Sequence, residues 1–251
     1  MKCDLSEYLL RFADSSLVLS QQLGAWCGHG PALEEDMALT NVALDLLGQA
    51  RLWFDYVVEL SPGDATEDSL AHLRDSSEFR SLLLVERPNG SYADTLARQF
   101  VFDAWHSLAL RELIKSADER IASIALKSSK EVAYHLRRSS DLVVRLGDGT
   151  KKSHEMMQAA IDDVWPFSGE AYIADSLDQS MASQGIGFDP ALLRDEWLTY
   201  VREVLDAATL EVPPEDAWMQ TGGKRGLHGE HLSKILAEMQ VLQRTYPGAQ
   251  W

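Results

Sequence analysis

Apolar residues recur along much of the chain at alternating spacings of three and four, the signature of amphipathic helix. The first stripe is Leu5, Leu9, Phe12, Ser16, Leu19, Leu23 and Trp26, and it predicts a helix broken at Gly28 and Gly30. Pro31 is expected at the first position of the next helix, with Glu34, Glu35 and Asp36 at its positive end. That helix carries Leu39, Val42, Leu46, Gln49, Trp53, Tyr56 and Leu60 and stops at "SPGD". A polar stretch with one or two short helices follows.

In "ERPNGSYAD", Pro-Asn-Gly makes a turn, and Ser91 with Asp94 three residues later makes a capping box. The long helix it opens, about 92 to 115, has the stripe Tyr92, Leu96, Gln99, Asp103, His106, Leu110 and Leu113. Its other faces bear Phe100, Val101, Phe102, Trp105 and Leu108, so it is apolar nearly all round and expected to be central. Another long helix, about 118 to 146, carries Ile121, Ala125, Ser128, Val132, His135, Ser139, Leu142 and Leu146 and ends at Gly147. Shorter helices are expected at about 151 to 165 and 167 to 180, then near 190 to 207 and 229 to 244.

No alternating strand pattern competes anywhere. Long helices with one apolar stripe each must bury those stripes against one another, so the expected architecture is all-α, an up-down helical bundle over residues 1–180. Residues 181–251, with turn-rich "SQGIGFDP", "EVPPEDAW" and "TGGKRGLHGE", read as a C-terminal extension packed on that bundle within one structural domain.

Charge narrows the function classes. The formal net charge of -16 disfavours nucleic acid and anionic membrane surfaces as partners. No apolar run approaches the roughly 20 residues that span a bilayer. Asp4, Glu7, Arg11 and Asp14 interrupt the region where a signal peptide needs an apolar core, so the expected compartment is the cytoplasm. Cys3 and Cys27 are too few for a disulfide framework or a thiolate metal site. Cys27 and His29 in "WCGHG" would make a nucleophile pair only with an activating base that the neighbourhood does not offer.

The chemistry-bearing residues interrupt the stripes near their midpoints: Asp45 with Gln49, Asp103 with His106, and Glu131 with His135. Buried charge is costly unless paired, so such residues form either a metal site or a mutually satisfied polar network. A di-iron bundle takes a Glu from each of two helices and a Glu-x-x-His from each of two others. Here no Asp or Glu occurs from Ser15 to Leu33, Gln49 stands where imidazole is wanted, Asp103 is one methylene short, and Val132 stands three before His135. The count favours a vestigial network of imidazolium and carboxylate, with no catalytic residue and no metal ligand assigned. A single adventitious ion at the cluster, and a self-sufficient iron or manganese oxidase using Asp45, Asp103, His106, Glu131 and His135, are the metal alternatives.

Weaker signals lie elsewhere. "TGGKRGLHGEHL" lacks the phosphate-loop spacing and reads as a docking loop; His228 and His231 within it lack carboxylates at metal-binding spacing. Lys127, Lys130, Arg137, Arg138 and Arg145 cluster on one helix. They read either as a solvated face paired with nearby acids, or as a contact for an acidic partner or a phosphate-bearing ligand such as coenzyme A.

The stretches "LSQQLGAWCGHGPALEEDMALTNVALDLLGQAR", "LLLVERPNGSYADTLARQFVFDAWH", "KEVAYHLRRSSDLVVRLGDGT" and "TGGKRGLHGEHLSKILAEMQVLQRTYPGAQW" together resemble the C-subunit family of the bacterial ring-1,2-phenylacetyl-CoA epoxidases, over essentially the whole chain. The resemblance implies a ferritin-like bundle that serves as structural partner of a related catalytic subunit, the one that holds the di-iron centre. It further implies a small bridging subunit and an NADPH-dependent flavin and iron-sulfur reductase. The implied reaction inserts one atom of dioxygen into the ring of phenylacetyl-CoA as an epoxide during phenylacetate breakdown. In catalytic relatives a Glu would stand where this chain has Val132, so no catalytic residue carries over. A homo-oligomer of the isolated chain is compatible with this reading.

Overall fold

The computed structural model describes residues 2–249 apart from 62, 64 and 215, with the side chains of residues 2 and 3 also undescribed. The Cys3 side chain and part of the predicted "SPGD" stop therefore lie outside what is described. The protein is all-α, and no strand occurs among the described residues, as a ferritin-like bundle requires. No described helix is long and apolar enough to cross a membrane.

The chain divides into two compact units, residues 1–86 with 222–251, and residues 87–221. In the first unit α1 (Lys2–Gly24) and α2 (Leu33–Leu60) pack as a helical hairpin, with Phe12 against Trp53 at 5.7 Å between ring centroids. Helix α1 stops before Trp26, which lies in a turn. Helix α2 begins at Leu33 instead of Pro31, because the Asp36 carboxylate folds back to accept the Gly30 N–H at 2.9 Å and so holds residues 30–32 outside the helix.

A short α3 (Glu67–His72) leads into an irregular run zipped along α1, where Leu82 N–H donates to Ser15 Oγ at 3.1 Å. The predicted C-terminal helix is two, α9 (Glu230–Met239) and α10 (Val241–Thr245). The break falls at Gln240, whose buried amide donates to the Ala71 and Arg74 carbonyls at 3.1 and 3.0 Å and anchors the tail on the unit.

In the second unit α4 (Tyr92–Leu113) packs against α5 (Glu119–Gly147), α6 (Lys151–Val164) and α8 (Arg194–Ala207). The Ser91–Asp94 capping box opens α4, with Ser91 N–H donating to Asp94 Oδ2 at 2.6 Å. Every residue from Thr95 to His106 is buried, as an all-round apolar helix demands. Asp118 caps α5 through the Arg120 and Ile121 amides. The helix predicted at 167–180 is instead a pair of 3₁₀ turns, Trp165–Phe167 and Gly169–Tyr172, followed by α7 (Ser176–Ser183). Pro166 removes a backbone donor there, and Asp175 starts α7 afresh by accepting from Leu177 and Asp178.

Candidate functional site

The polar residues of the second unit converge in pairs on α4 and α5. Asp103 is fully buried, and both of its oxygens are engaged: Gln99 Nε2 donates to Oδ1 at 2.6 Å and Ser139 Oγ donates to Oδ2 at 2.9 Å. Ser139 lies on the same stripe of α5 as Ser128, Val132 and His135, all at most 1% exposed. Burial pushes the Asp103 carboxyl up to about 6, against the opposing pull of His135, the two hydrogen bonds and Arg138.

His106 lies one turn along α4 from Asp103. Its ring stands 5.0 Å from Phe102 and is stacked 5.9 Å from Trp105. Burial, with a smaller effect of His135, lowers its pKa to about 3. The sequence leads one to expect an imidazolium here. The structure holds a neutral ring instead, because aromatic surroundings give a charge nothing to replace water with. His106 Nδ1 has no hydrogen-bond partner among the described residues.

Glu131 is half-buried at the edge of α5, and His135 is the member of its pair that points into the unit. Asp45, half-buried, and Gln49, buried, belong to the first unit on α2. Among the described residues no group of three or more His, Cys, Asp and Glu side chains stands together in a metal-holding arrangement.

The donor set does not fit the paired iron ions that a catalytic bundle of this type would hold. A bridging carboxylate needs free lone pairs directed at the metals, whereas Asp103 accepts from Gln99 and Ser139. The position three before His135 is Val132, fully buried and without a donor atom. What remains at this level of the unit is imidazole nitrogen and one fully buried carboxylate already engaged by two protein donors, a poor set of counter-charges for paired iron ions.

Sequence reasoning missed Asp14. This residue of α1 is fully buried, and Arg74 grips it with two nitrogens, Nη1 to Oδ2 at 3.1 Å and Nη2 to Oδ1, while the Arg80 N–H donates to Oδ2 at 2.8 Å. The Arg74 guanidinium also covers the Phe79 ring at 4.3 Å. The signal was present in the sequence as an acid next to the apolar stripe, at Ala13–Asp14, but its partner lies 60 residues away. This carboxylate of α1 is thus committed to an arginine.

The loop "TGGKRGLHGEHL" docks within the first unit, in keeping with its glycines. A Cβ at Gly226, where φ is +76°, would collide with the Ser77 carbonyl oxygen. The side chains of His228 and Glu86 are both buried: His228 Nε2 lies 3.0 Å from the Phe79 carbonyl oxygen, His228 Nδ1 lies 3.3 Å from Glu86 Oε2, and the Gly229 N–H donates to Glu86 Oε1 at 2.9 Å. Cys27 is a free, exposed thiol.

Against known proteins, the family model described as "Phenylacetic acid catabolic protein" matches residues 2–251. The chain is 51% identical over 247 residues to the C subunit of the 1,2-phenylacetyl-CoA epoxidase of Escherichia coli (strain K12), a match that covers 98% of this chain and 99% of the relative.

Proposed function

The chain belongs to the phenylacetic acid catabolic protein family, and we propose that within it the chain is the C subunit of a 1,2-phenylacetyl-CoA epoxidase, a non-catalytic scaffold that holds and stabilises a related di-iron subunit. The observation that carries this reading is the state of Asp103. Its carboxylate accepts hydrogen bonds from Ser139 and Gln99 where a catalytic bundle would turn a carboxylate toward metal. Val132 in place of a ligand, and the capture of Asp14 by Arg74, support it.

In this reading the chain needs no cofactor of its own. Iron belongs to the catalytic partner, flavin and iron-sulfur centres to an NADPH-dependent reductase, and the cytoplasmic assembly also includes a small bridging subunit. The contribution of this chain is binding energy: a partner that binds only the folded catalytic subunit raises its stability by mass action.

Co-expression of the catalytic subunit with and without this chain, followed by size-exclusion chromatography, thermal melting and a turnover assay, tests the reading. Expected are a hetero-complex, a higher melting temperature of the catalytic subunit, and turnover that survives Asp103→Asn in this chain. Loss of turnover in Asp103→Asn with assembly and melting unchanged would assign the chemistry to this chain and overturn the scaffold.

A further inference from the structure

We propose that the outer face of α5 is a docking surface for a protein partner that presents an acidic, partly apolar face, and that this partner is another subunit of the same complex. The choice of a subunit rests on the function proposed above; the chemistry of the surface does not.

Helical spacing puts Leu126, Lys127, Lys130, Tyr134, Arg137 and Arg145 within an arc of about 100° that runs for roughly 28 Å along the helix. All six are exposed, Leu126 by 54% and Tyr134 by 44%. The Arg137 guanidinium lies 5.8 Å from the centroid of the Tyr134 ring. In a chain with 39 acidic and 23 basic residues, lone cations on the surface are expected to find carboxylates, and several elsewhere do, although Lys152 and Arg225, each on its own element, do not. Arg51 pairs with Glu67 at 2.9 Å, Lys115 with Glu112 at 2.8 Å, Lys234 with Glu230 at 3.0 Å and Arg244 with Asp75 at 2.9 Å.

Among the described residues, no carboxylate pairs with Lys127, Lys130, Arg137 or Arg145. Even Asp141, four residues from both Arg137 and Arg145, makes no ion pair with either. For these four cations the expectation of pairing with neighbouring acids fails, while Arg138, half-buried, is engaged; the positive charge of the exposed four is available to a partner. Tyr and Arg flanked by an exposed Leu are the composition of protein interface anchors, while the lysines at their margin would steer an acidic partner.

Charge complementarity selects the occupant. A nucleic acid or anionic bilayer reaching beyond the stripe would meet the field of a chain whose formal net charge is -16. A small phosphate-bearing ligand needs a concave site, and the outer face of one helix is convex. A compact acidic protein face matches both the extent and the sign.

The test uses the full chain and, one at a time, the purified catalytic, bridging and reductase subunits of the complex, with dissociation constants measured at low and high salt. Lys130→Glu/Arg137→Glu is compared with Lys151→Glu/Lys152→Glu, the same charge change on the exposed start of α6. For one subunit, affinity is expected to fall roughly tenfold or more on raising salt, and at least tenfold further in the α5 variant than in the α6 variant. Lys130→Ala/Arg137→Ala should act in the same direction, less strongly, and circular dichroism should remain that of the unmodified chain. Equal affinity of the α5 and α6 variants for all subunits overturns the inference and leaves the scaffold reading standing. Failure of the unmodified chain to bind any subunit overturns both. Binding of coenzyme A that is lost only in the α5 variant, with subunit binding unchanged, would reassign the face to a small ligand.

Discussion

Ser139 on α5 donates its hydroxyl to Asp103 on α4 across 2.9 Å, in a place from which water is excluded. The bond ties two helices at the level where their stripes turn polar. A carboxylate engaged at both oxygens and shut off from water has a titration of its own.

Asp103 and His106 are expected to give opposite pH dependences. The Asp103 carboxyl is raised to about 6, so its protonated form is favoured by folding; its contribution is full below the unfolded carboxylate range and is lost as pH rises through 6. The loss corresponds to about 2 to 3 kcal/mol. Asp103→Asn should therefore become more stable relative to the unmodified chain as pH goes from 4 to 7 in urea unfolding. The His106 pKa is depressed to about 3, so its contribution is full above the unfolded histidine value and is lost as pH falls. His106→Gln should gain on the unmodified chain by about 1.4 kcal/mol for each unit of pH below 6.5, until pH nears 3. Parallel curves for unmodified chain and variant would contradict either assignment.

Removing one partner of a buried ion pair leaves the other charged and desolvated. Asp14→Ala strips Arg74 of its carboxylate and is expected to cost about 3 to 5 kcal/mol in denaturant unfolding. Asp45→Ala, at a half-buried position of the same unit, is expected to cost less. Equal losses would mean that the Asp14–Arg74 contact contributes nothing special.

The tail should be released by Glu86→Ala. That change removes the carboxylate facing His228 and the acceptor of the Gly229 N–H. Hydrogen exchange in α9 and α10 is expected to speed up, consistent with a loss of about 3 kcal/mol, while α4 and α5 keep their protection. Unchanged exchange at residues 230–245 would show that the Gln240 anchor alone holds the segment.

What the sequence made legible follows from range. Periodicity and caps are local, so the long helices, the Ser91 and Asp118 starts and the burial of Asp103, His106 and His135 were all readable. Partners are not local. The capture of Asp14 by Arg74 and of Glu86 by His228 span 60 and well over 100 residues, and neither residue type announces its mate. The shift of a helix start from Pro31 to Leu33, and the break at Gln240, are decided by one or two side-chain hydrogen bonds, one accepted by Asp36 and two donated by Gln240, which compete with propensity. The protonation of His106 depends on Phe102 and Trp105, its own helical neighbours; the stripe showed them, and only their packing shows that water is excluded.

Iron and manganese content of the isolated, full-length chain, purified without chelator and measured by plasma mass spectrometry, bears most directly on whether α4 and α5 hold a catalytic centre. With Asp103 bound by Ser139 and Gln99 and Val132 in a ligand's place, the expected content is far below one ion per chain. Two ions per chain, lost together when Asp103 and His135 are replaced, would contradict the account.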